Sequence, residues 1–203
     1  MSRLLRVGVL ASGRGSNLQA LLDAGSRPDY PARVVVVVSD REDARALARA
    51  RAAGVSSLFV NPKDHGDRPA YDAVLTKTLE HHEVGLVCLA GFLRILSPVF
   101  VRAWQGRLMN VHPSLLPAFP GLHAQRQALD HGVRIAGATV HFVDEGVDTG
   151  PIVLQAAVPV EATDTEETLA ARILIEEHRV YLEAVRLFAE GRLHVTGRQV
   201  SIR

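Results

Sequence analysis

A continuous run of β-branched residues at positions 34–38 is the feature that most limits how this chain can fold. A run of this kind, with no alternating polar residues, is typical of a strand buried on both faces in a parallel sheet. Parallel neighbours need long crossover connections, which are usually helices. The flanking sequence should therefore alternate strands with helices.

The first hundred residues show this alternation. Apolar runs predict strands at residues 4–10, 34–38, 57–60 and 85–90, and helical spacing predicts helices from residue 18 and at residues 43–53, 69–82 and 98–104. Ser97 and Pro98 form a good N-cap and first-turn pair for the last of these helices. A parallel sheet of this type binds ligands beyond the carboxyl ends of its strands.

The second half of the chain adds a strand ending at His112, a short helix at residues 123–131, and strands at 137–143 and 152–158. Because no long helix separates the last two strands, we expect an antiparallel edge hairpin. A long helix should begin at Asp164, a plausible N-cap with Glu167 three residues later, and end near residue 190. The tail from residue 192 can add a strand. We therefore predict an α/β, Rossmann-like three-layer fold with a mostly parallel sheet, an antiparallel C-terminal edge and a long C-terminal helix.

Composition excludes several classes of protein. The 203 residues are 47% hydrophobic and 22% charged, with a formal net charge of +1, so no global field attracts a nucleic acid or a membrane. Cys88 is the sole cysteine and lies in an apolar run, where a buried hydrophobe is the simpler interpretation than a nucleophile. Residues 1–3 do not begin a leader peptide, and no apolar run approaches ~20 residues. A cytoplasmic protein is expected.

Asn110 and His112 are the first candidates for chemistry. They lie two residues apart near a predicted strand end, so both side chains project from one face. Pro113 holds His112 extended. An amide donor beside an imidazole is what acyl transfer needs, because one stabilises an oxyanion and the other moves a proton. As a bare pattern, however, the pair equally describes a hydrogen-bonded strand end.

Two loops extend this hypothesis. The loop between Gly13 and Gly15 precedes a helix and is either a phosphate cradle or a plain tight turn, and it matches neither the dinucleotide nor the Walker pattern. The acidic residues Asp144, Glu145 and Asp148 form either a solvated turn or the partner of the imidazole. A carboxylate beside an imidazole would raise its pKa.

Two other kinds of site are less well supported. Zinc held by His112, His123, His141 and an aspartate is disfavoured because no zinc-binding spacing is present, and His123 and His141 are more simply packed, hydrogen-bonded residues. Ser114 lies in no nucleophile elbow, so a serine nucleophile is excluded.

Four segments in order resemble the folate-dependent phosphoribosylglycinamide formyltransferase family. These segments are residues 12–19, 91–97, 110–117 and 141–151, and they extend over nearly the whole chain. The run from Asn110 to Pro117 alone marks the wider formyltransferase superfamily. The resemblance implies formyl transfer from 10-formyltetrahydrofolate to the primary amine of 5-phosphoribosylglycinamide in de novo purine biosynthesis.

The resemblance also implies a role for individual positions. The phosphate and ribose of the nucleotide would contact Gly15, Ser16, Asn17, Leu18 and Gln19, and its amine would contact Glu177. The formylfolate would contact Arg68, Leu93, Arg94, Ile95, Leu96 and Asn110. Asn110 would also be the oxyanion donor, His112 the acid catalyst, and Asp148 the carboxylate that raises the pKa of His112. Gly146 departs from the expected loop pattern and should loosen the acidic loop.

The organisation implied is a single formyltransferase domain over residues 1–203, with a nucleotide-binding half at 1–104 and a catalytic and folate-binding half at 105–203. Its partners would be small molecules, with no metal, nucleic acid or membrane, and it would be a monomer or homodimer. A methionyl-tRNA formyltransferase would need an appended RNA-binding domain, and a formyltetrahydrofolate deformylase an N-terminal regulatory domain. A folate- or nucleotide-binding module without turnover would lack the proton-handling residues Asn110, His112 and Asp148.

Overall fold

The computed structural model describes residues 4–203, so the prediction about residues 1–3 lies outside it. The strands in this range are β1 (Leu5–Leu10), β2 (Ala32–Ser39), β3 (Ser56–Phe59), β4 (Leu86–Leu89), β5 (Leu108–His112), β6 (Ile135–Phe142), β7 (Ile152–Pro159), β8 (Leu193–Thr196) and β9 (Gln199–Ile202). The helices are α1 (Ser16–Gly25), α2 (Arg45–Ala52), α3 (Arg68–His81), α4 (Pro98–Ala103), α5 (Ala124–Asp130) and α6 (Glu166–Ala189), with a 3₁₀ turn at Pro62–Asp64.

The main sheet has seven strands in the order β3-β2-β1-β4-β5-β6-β7. Strand β1 pairs in parallel with β2 and β4, and β2 pairs in parallel with β3. The last pair, β6 and β7, is antiparallel. The predicted α/β fold, with its mostly parallel sheet, antiparallel C-terminal edge and long C-terminal helix, is confirmed.

The described residues divide into two compact units, one ending at Met109 and the other extending from Asn110 to Arg203. In the first unit, Val36, Val37 and Val38 of β2 are fully buried. Since neighbouring side chains in a strand point to opposite faces, both faces of β2 are covered. Cys88 is also fully buried in β4, as expected for a small hydrophobe.

In the second unit, α6 packs against β6 and β7. The buried face of this helix carries mainly apolar side chains, including Leu169, Ile173 and Val180. The tail forms two strands rather than one, because β8 and β9 pair as an antiparallel hairpin. Within residues 4–203, no helix combines the length and apolarity needed to cross a bilayer.

The predicted start of α6 is wrong by one residue. Thr165, not Asp164, is the N-cap, and its side chain forms a capping box with Thr168 rather than with Glu167. Asp164 instead accepts two hydrogen bonds from Arg172, at 2.8 and 2.9 Å. Both Asp164 and Thr165 are good N-cap residue types, so the choice between them depends on the arginine two turns along the helix.

Candidate active site

Strand β5 ends with two polar side chains on one face. Asn110 is half-buried and His112 is 5% exposed, and both lie within hydrogen-bonding or ion-pairing reach of Asp148. The predicted common orientation of Asn110 and His112 is therefore confirmed. Pro113 follows directly and lies outside the strand.

Both ring nitrogens of His112 face oxygen atoms. Nε2 lies 2.9 Å from the carbonyl oxygen of Phe119, and Nδ1 lies 3.3 Å from Oδ2 of Asp148. A carbonyl and a carboxylate can only accept hydrogen bonds. Only the doubly protonated imidazolium can donate to both, so this geometry favours the form of His112 that an acid catalyst needs.

Burial opposes that form. It lowers the pKa of His112 more than the Phe119 carbonyl and the Asp148 charge raise it, so the net pKa lies below the ordinary value of 6.5. Asp148 raises the pKa of His112 as expected, but burial lowers that pKa by more. His112 is only 5% exposed, and the sequence pattern does not reveal this burial.

For Asp148, the contacts with its partners outweigh the effect of burial on the pKa. Burial raises the pKa of its carboxyl, but hydrogen bonds with His141 and with the Gly121 amide, and the charge of His112, together hold it below the ordinary value of 3.8. The amide of Gly121 donates to Oδ2 at 2.8 Å. Asp148 has a φ of 53°, in the left-handed region that aspartate tolerates better than most residues. The solvated-turn interpretation therefore does not hold for Asp148.

His141 joins this group from strand β6. Its Nε2 lies 3.5 Å from Oδ1 of Asp148 and 3.3 Å from Nδ2 of Asn110, and its Nδ1 lies 2.9 Å from the Phe142 carbonyl oxygen. The expectation of a packed, hydrogen-bonded residue is confirmed for His141. It is wrong for His123, which is exposed at the start of α5 with a φ of 58°.

Two hydrogen bonds to Asp144 hold the acidic loop, residues 144–150, in a closed conformation. Asp144 accepts hydrogen bonds from the Gly146 amide at 3.1 Å and from the Thr149 hydroxyl at 2.6 Å. A Cβ atom at Gly146 would collide with that hydroxyl. Gly146 therefore leaves room for Thr149 to close the loop, and the expectation that the glycine loosens the loop without moving Asp148 stays a prediction.

The glycine loop lies in the first unit, between β1 and α1. Gly15 is the N-cap of α1 with a φ of 70°, and an added Cβ would lie 2.9 Å from Cα of Ala46. Arg49 holds the loop by donating to the Arg14 carbonyl and to Oε1 of Gln19, both at 2.9 Å. The positive end of the dipole of α1 makes this helix start suited to an anion.

The loop after β4 is joined to the glycine loop within this unit. Ser12 donates its amide to the Gly91 carbonyl at 3.0 Å, and its hydroxyl accepts from the Leu93 amide at 2.9 Å. Leu93 and Ile95 are 66% and 62% exposed, and Leu96 is buried. The structure thus brings together two segments that the sequence analysis assigned to the nucleotide and to the folate.

Of the two arginines expected to contact the folate, Arg94 lies within this apolar loop and Arg68 lies at the start of α3. The guanidinium of Arg94 lies 5.2 Å from the ring centroid of Tyr71 in α3, and Arg68 is the exposed first residue of the same helix. Cation–π contact of this kind fixes the direction of the Arg94 side chain.

In the second unit, Glu177 lies on the buried face of α6 and is only 7% exposed, which is unusual for a glutamate.

Sequence reasoning missed the main-chain half of the site. The carbonyl of Phe119 and the amide of Gly121 are main-chain groups, which carry no residue-type signal. Among residues 4–203, no group of three or more His, Cys, Asp or Glu side chains is placed to hold a metal ion.

The chain is similar to known proteins over most of its length. The profile of the family described as formyl transferase matches residues 5–185. The trifunctional purine biosynthetic protein adenosine-3 of Drosophila melanogaster is 52% identical over 191 residues, which are 93% of this chain and 14% of that protein. The chain thus spans about a seventh of the length of this curated relative.

Shorter relatives match over nearly their whole length. The phosphoribosylglycinamide formyltransferase of Escherichia coli K12 is 46% identical over 189 residues, covering 93% of this chain and 89% of that protein. The crystal structure of glycinamide ribonucleotide transformylase 1 from Symbiobacterium toebii superposes with a TM-score of 0.97 at 57% identity. That superposition covers all of this chain and 95% of the other.

Proposed function

Because this chain belongs to the formyl transferase family, we propose that it transfers the formyl group of 10-formyltetrahydrofolate to the primary amine of 5-phosphoribosylglycinamide, in de novo purine biosynthesis. The names of the similar proteins support formyl transfer to phosphoribosylglycinamide, and the folate donor is our proposal. The observation that carries the proposal is the contact between Nδ1 of His112 and Asp148, with Asn110 beside them.

The proposed reaction is direct transfer. The amine attacks the formyl carbon, a C–N bond forms, and the carbonyl π electrons move to oxygen to give a tetrahedral oxyanion. The imidazolium of His112 and the amide of Asn110 stabilise that charge. Collapse re-forms the carbonyl and breaks the bond to the folate N10. The amine loses a proton and N10 gains one, which we propose is relayed through water near Asp148.

The contacts of His112 and Asn110 in the structure bear on how each side chain would reach the oxyanion. Both nitrogens of His112 already contact oxygen atoms, so one N–H must exchange its present acceptor for the oxyanion. The contacts of the Asn110 amide, at 3.3 and 3.4 Å, are long for hydrogen bonds. Asn110 can therefore turn to an oxyanion at little cost.

We assign the ligands to the loops as the resemblance implies. The nucleotide phosphate and ribose would bind at Gly15–Gln19, and its amine at Glu177. The folate would bind at Arg68 and residues 93–96, together with Asn110. In support, the exposed Leu93 and Ile95 offer an apolar surface to a ring system, and Gly15 has no side chain that could cap the start of α1. The single domain, the cytoplasmic location and the choice between monomer and homodimer stay predictions.

The test follows the absorbance change as 10-formyltetrahydrofolate becomes tetrahydrofolate, with and without phosphoribosylglycinamide. We expect turnover only with the nucleotide, and formylated nucleotide as the product by mass spectrometry. Turnover without the nucleotide would instead indicate water as the acceptor and a deformylase. The absence of turnover in either case would contradict the proposal and favour another acceptor or a binding module.

His112→Ala gives the matching variant. Loss of an acid–base group usually costs ~10²–10⁴ in rate, and a loss below tenfold would remove the role of His112 as acid. His194→Ala is the control, because that histidine is exposed in β8. It should leave the rate unchanged.

A further inference from the structure

The segment that follows β5, residues 113–121, supplies two main-chain groups to the site. Its Phe119 carbonyl accepts from Nε2 of His112 at 2.9 Å, and its Gly121 amide donates to Oδ2 of Asp148 at 2.8 Å. One segment therefore contacts both titratable groups of the pair. Whatever fixes the path of this segment also fixes the surroundings of the pair.

A buried hydroxyl on β6 holds the start of this segment. Thr139 is fully buried, and its Oγ1 donates to the Ser114 carbonyl at 2.7 Å and accepts from the Leu116 amide at 3.0 Å. It also accepts from Nε2 of Gln155 at 2.9 Å. A hydroxyl has one donor and two acceptor positions, so all of its hydrogen-bonding capacity is used.

Gln155 completes the arrangement from the neighbouring strand. It lies directly opposite Thr139 in the β6–β7 ladder. Its second donated hydrogen bond reaches the Leu116 carbonyl at 2.9 Å. Leu116 thus has both main-chain groups tied to side chains of the antiparallel edge, and the Ser114 hydroxyl adds a bond to the Ala118 carbonyl at 2.6 Å.

We propose that Thr139, supported by Gln155, is a positioning residue that holds the segment 113–121 so that the Phe119 carbonyl and the Gly121 amide meet His112 and Asp148. It touches neither titratable side chain itself. The inference depends on the proposed function for its effect on turnover, but not for its effect on the protonation of His112.

Loosening the segment changes the titration in a defined direction. The groups that face His112 are the Phe119 carbonyl, Asp148 from the acidic loop and His141 from β6. The Phe119 contact raises the pKa of His112, so its loss lowers that pKa further. The Gly121 contact lowers the pKa of Asp148, so its loss raises that pKa. The pH range in which the imidazolium–carboxylate pair exists becomes narrower at both ends.

The test is Thr139→Val, which keeps the shape of the side chain and removes the hydroxyl. We expect kcat to fall roughly 10–100-fold, as for a small misplacement of catalytic groups, with the high-pH limb of the rate moved to lower pH. Thr139→Ser restores the hydroxyl and should restore both kcat and the pH profile. Thr78→Val is the matched control, because the Thr78 hydroxyl only bonds to its own helix, at the Val74 carbonyl, and this variant should match the unsubstituted protein.

A second readout needs no turnover. The imidazole resonance of His112, assigned by its disappearance in His112→Asn, is titrated by NMR in each variant. We expect a lower pKa in Thr139→Val than in the unsubstituted protein and in Thr139→Ser. If the protein does not transfer formyl groups at all, this titration still tests the positioning role and separates it from the proposed function.

Two results would overturn the inference. One is an unmoved His112 titration in Thr139→Val, which would make the hydroxyl merely structural. The other is a Thr139→Ser protein that behaves like Thr139→Val. If Thr139→Val does not fold, Gln155→Met replaces it, since it keeps the length of the side chain, removes both donors and adds no charge. That variant should shift the His112 titration in the same direction, and an unmoved titration would contradict the proposal.

Discussion

The Oδ2 atom of Asp148 lies 3.3 Å from Nδ1 of His112, close enough for the carboxylate to act directly on the charge of the imidazole. Both side chains are largely shielded from water, at 12% and 6% exposure, so solvent screens their interaction only weakly. Burial nevertheless lowers the pKa of His112 more than the charge of Asp148 raises it. The protonated form of His112 is therefore sensitive to every additional contact that this side chain makes.

Asp148→Asn should move the pH dependence of the reaction. The Asp148 charge raises the pKa of His112, so neutralising it lowers that pKa, and activity that needs the imidazolium is lost at a lower pH than before. We expect the high-pH limb of kcat/KM, measured from about pH 5 to 9, to shift downward. Asp130→Asn, at the end of α5, is the control. An unchanged profile in Asp148→Asn would exclude its proposed role.

Asn110→Ala should lower kcat by ~10²–10³, the usual cost of removing one oxyanion donor. The effect should fall on kcat more than on KM, because the developing charge exists only in the transition state. Steady-state kinetics at saturating folate and nucleotide measure both. A variant with raised KM and normal kcat would instead identify Asn110 as a binding residue only.

Gly15→Ala should weaken the binding of the nucleotide. An L side chain at a φ of 70° costs about 1–2 kcal/mol, and the new Cβ would also press on Ala46. We expect the KM for phosphoribosylglycinamide to rise about tenfold with little change in the KM for the folate. Gly13→Ala is a matched comparison, because that position has open space and needs no positive φ. Equal effects of the two substitutions would contradict this account.

Gly146→Ala should lower activity with little change in the unfolding temperature. The added Cβ would displace the Thr149 hydroxyl from Asp144, and this opens the loop that carries Asp148. Gly66→Ala lies in open space at an exposed turn and serves as the control. Kinetics and thermal unfolding on both variants separate the two effects. Normal activity in Gly146→Ala would show that the loop does not need this closure.

Asp164→Asn should destabilise the protein near neutral pH but not in acid. Hydrogen bonds from Arg172 hold the pKa of Asp164 well below its ordinary value of 3.8. A carboxyl with a lowered folded-state pKa contributes stability above its unfolded pKa, and loses it as the pH falls through the folded value. The difference in Tm from the unsubstituted protein should therefore shrink at low pH.

Asp43→Asn is the control for this pair. Asp43 and Arg41 form an ion pair in which both side chains are well exposed, and exposed pairs contribute little to stability. Its Tm should match that of the unsubstituted protein at every pH. A Tm difference in Asp164→Asn that persists unchanged in acid would show that the Asp164 charge is not what stabilises the helix start.

The strand pattern and the site side chains could be predicted because their signals are local. The buried run in β2, the Ser97 cap and the shared face of Asn110 and His112 each follow from neighbouring residue types. The start of α6 could not be predicted in this way. Asp164 and Thr165 are both suitable N-cap residues, and Asp164 bonds to Arg172 instead, which lies two turns along the helix. The net pKa of His112 could not be predicted either, because it depends on the burial of the imidazole in the folded protein.

The roles of Thr139 and His141 are harder still to see in a sequence. Thr139 and His141 alternate with apolar residues along β6, which is the pattern of an ordinary strand with one polar face. Only the path of segment 113–121 in the folded protein shows that Thr139 holds this segment. The partners of Thr139 are mostly main-chain atoms of residues more than twenty positions away. The residue types at positions 114 and 116 therefore give no indication that their main-chain atoms bond to Thr139.

The left-handed conformation of Phe119 has a practical consequence for engineering. The site uses the carbonyl oxygen of this residue, and its aromatic ring instead packs near His131, 5.2 Å between centroids. The side chain at position 119 is therefore open to redesign, provided that the replacement accepts a φ near 55°, as glycine and asparagine do. A library built at this position can vary the rim of the site while the chemistry of the acid stays in place.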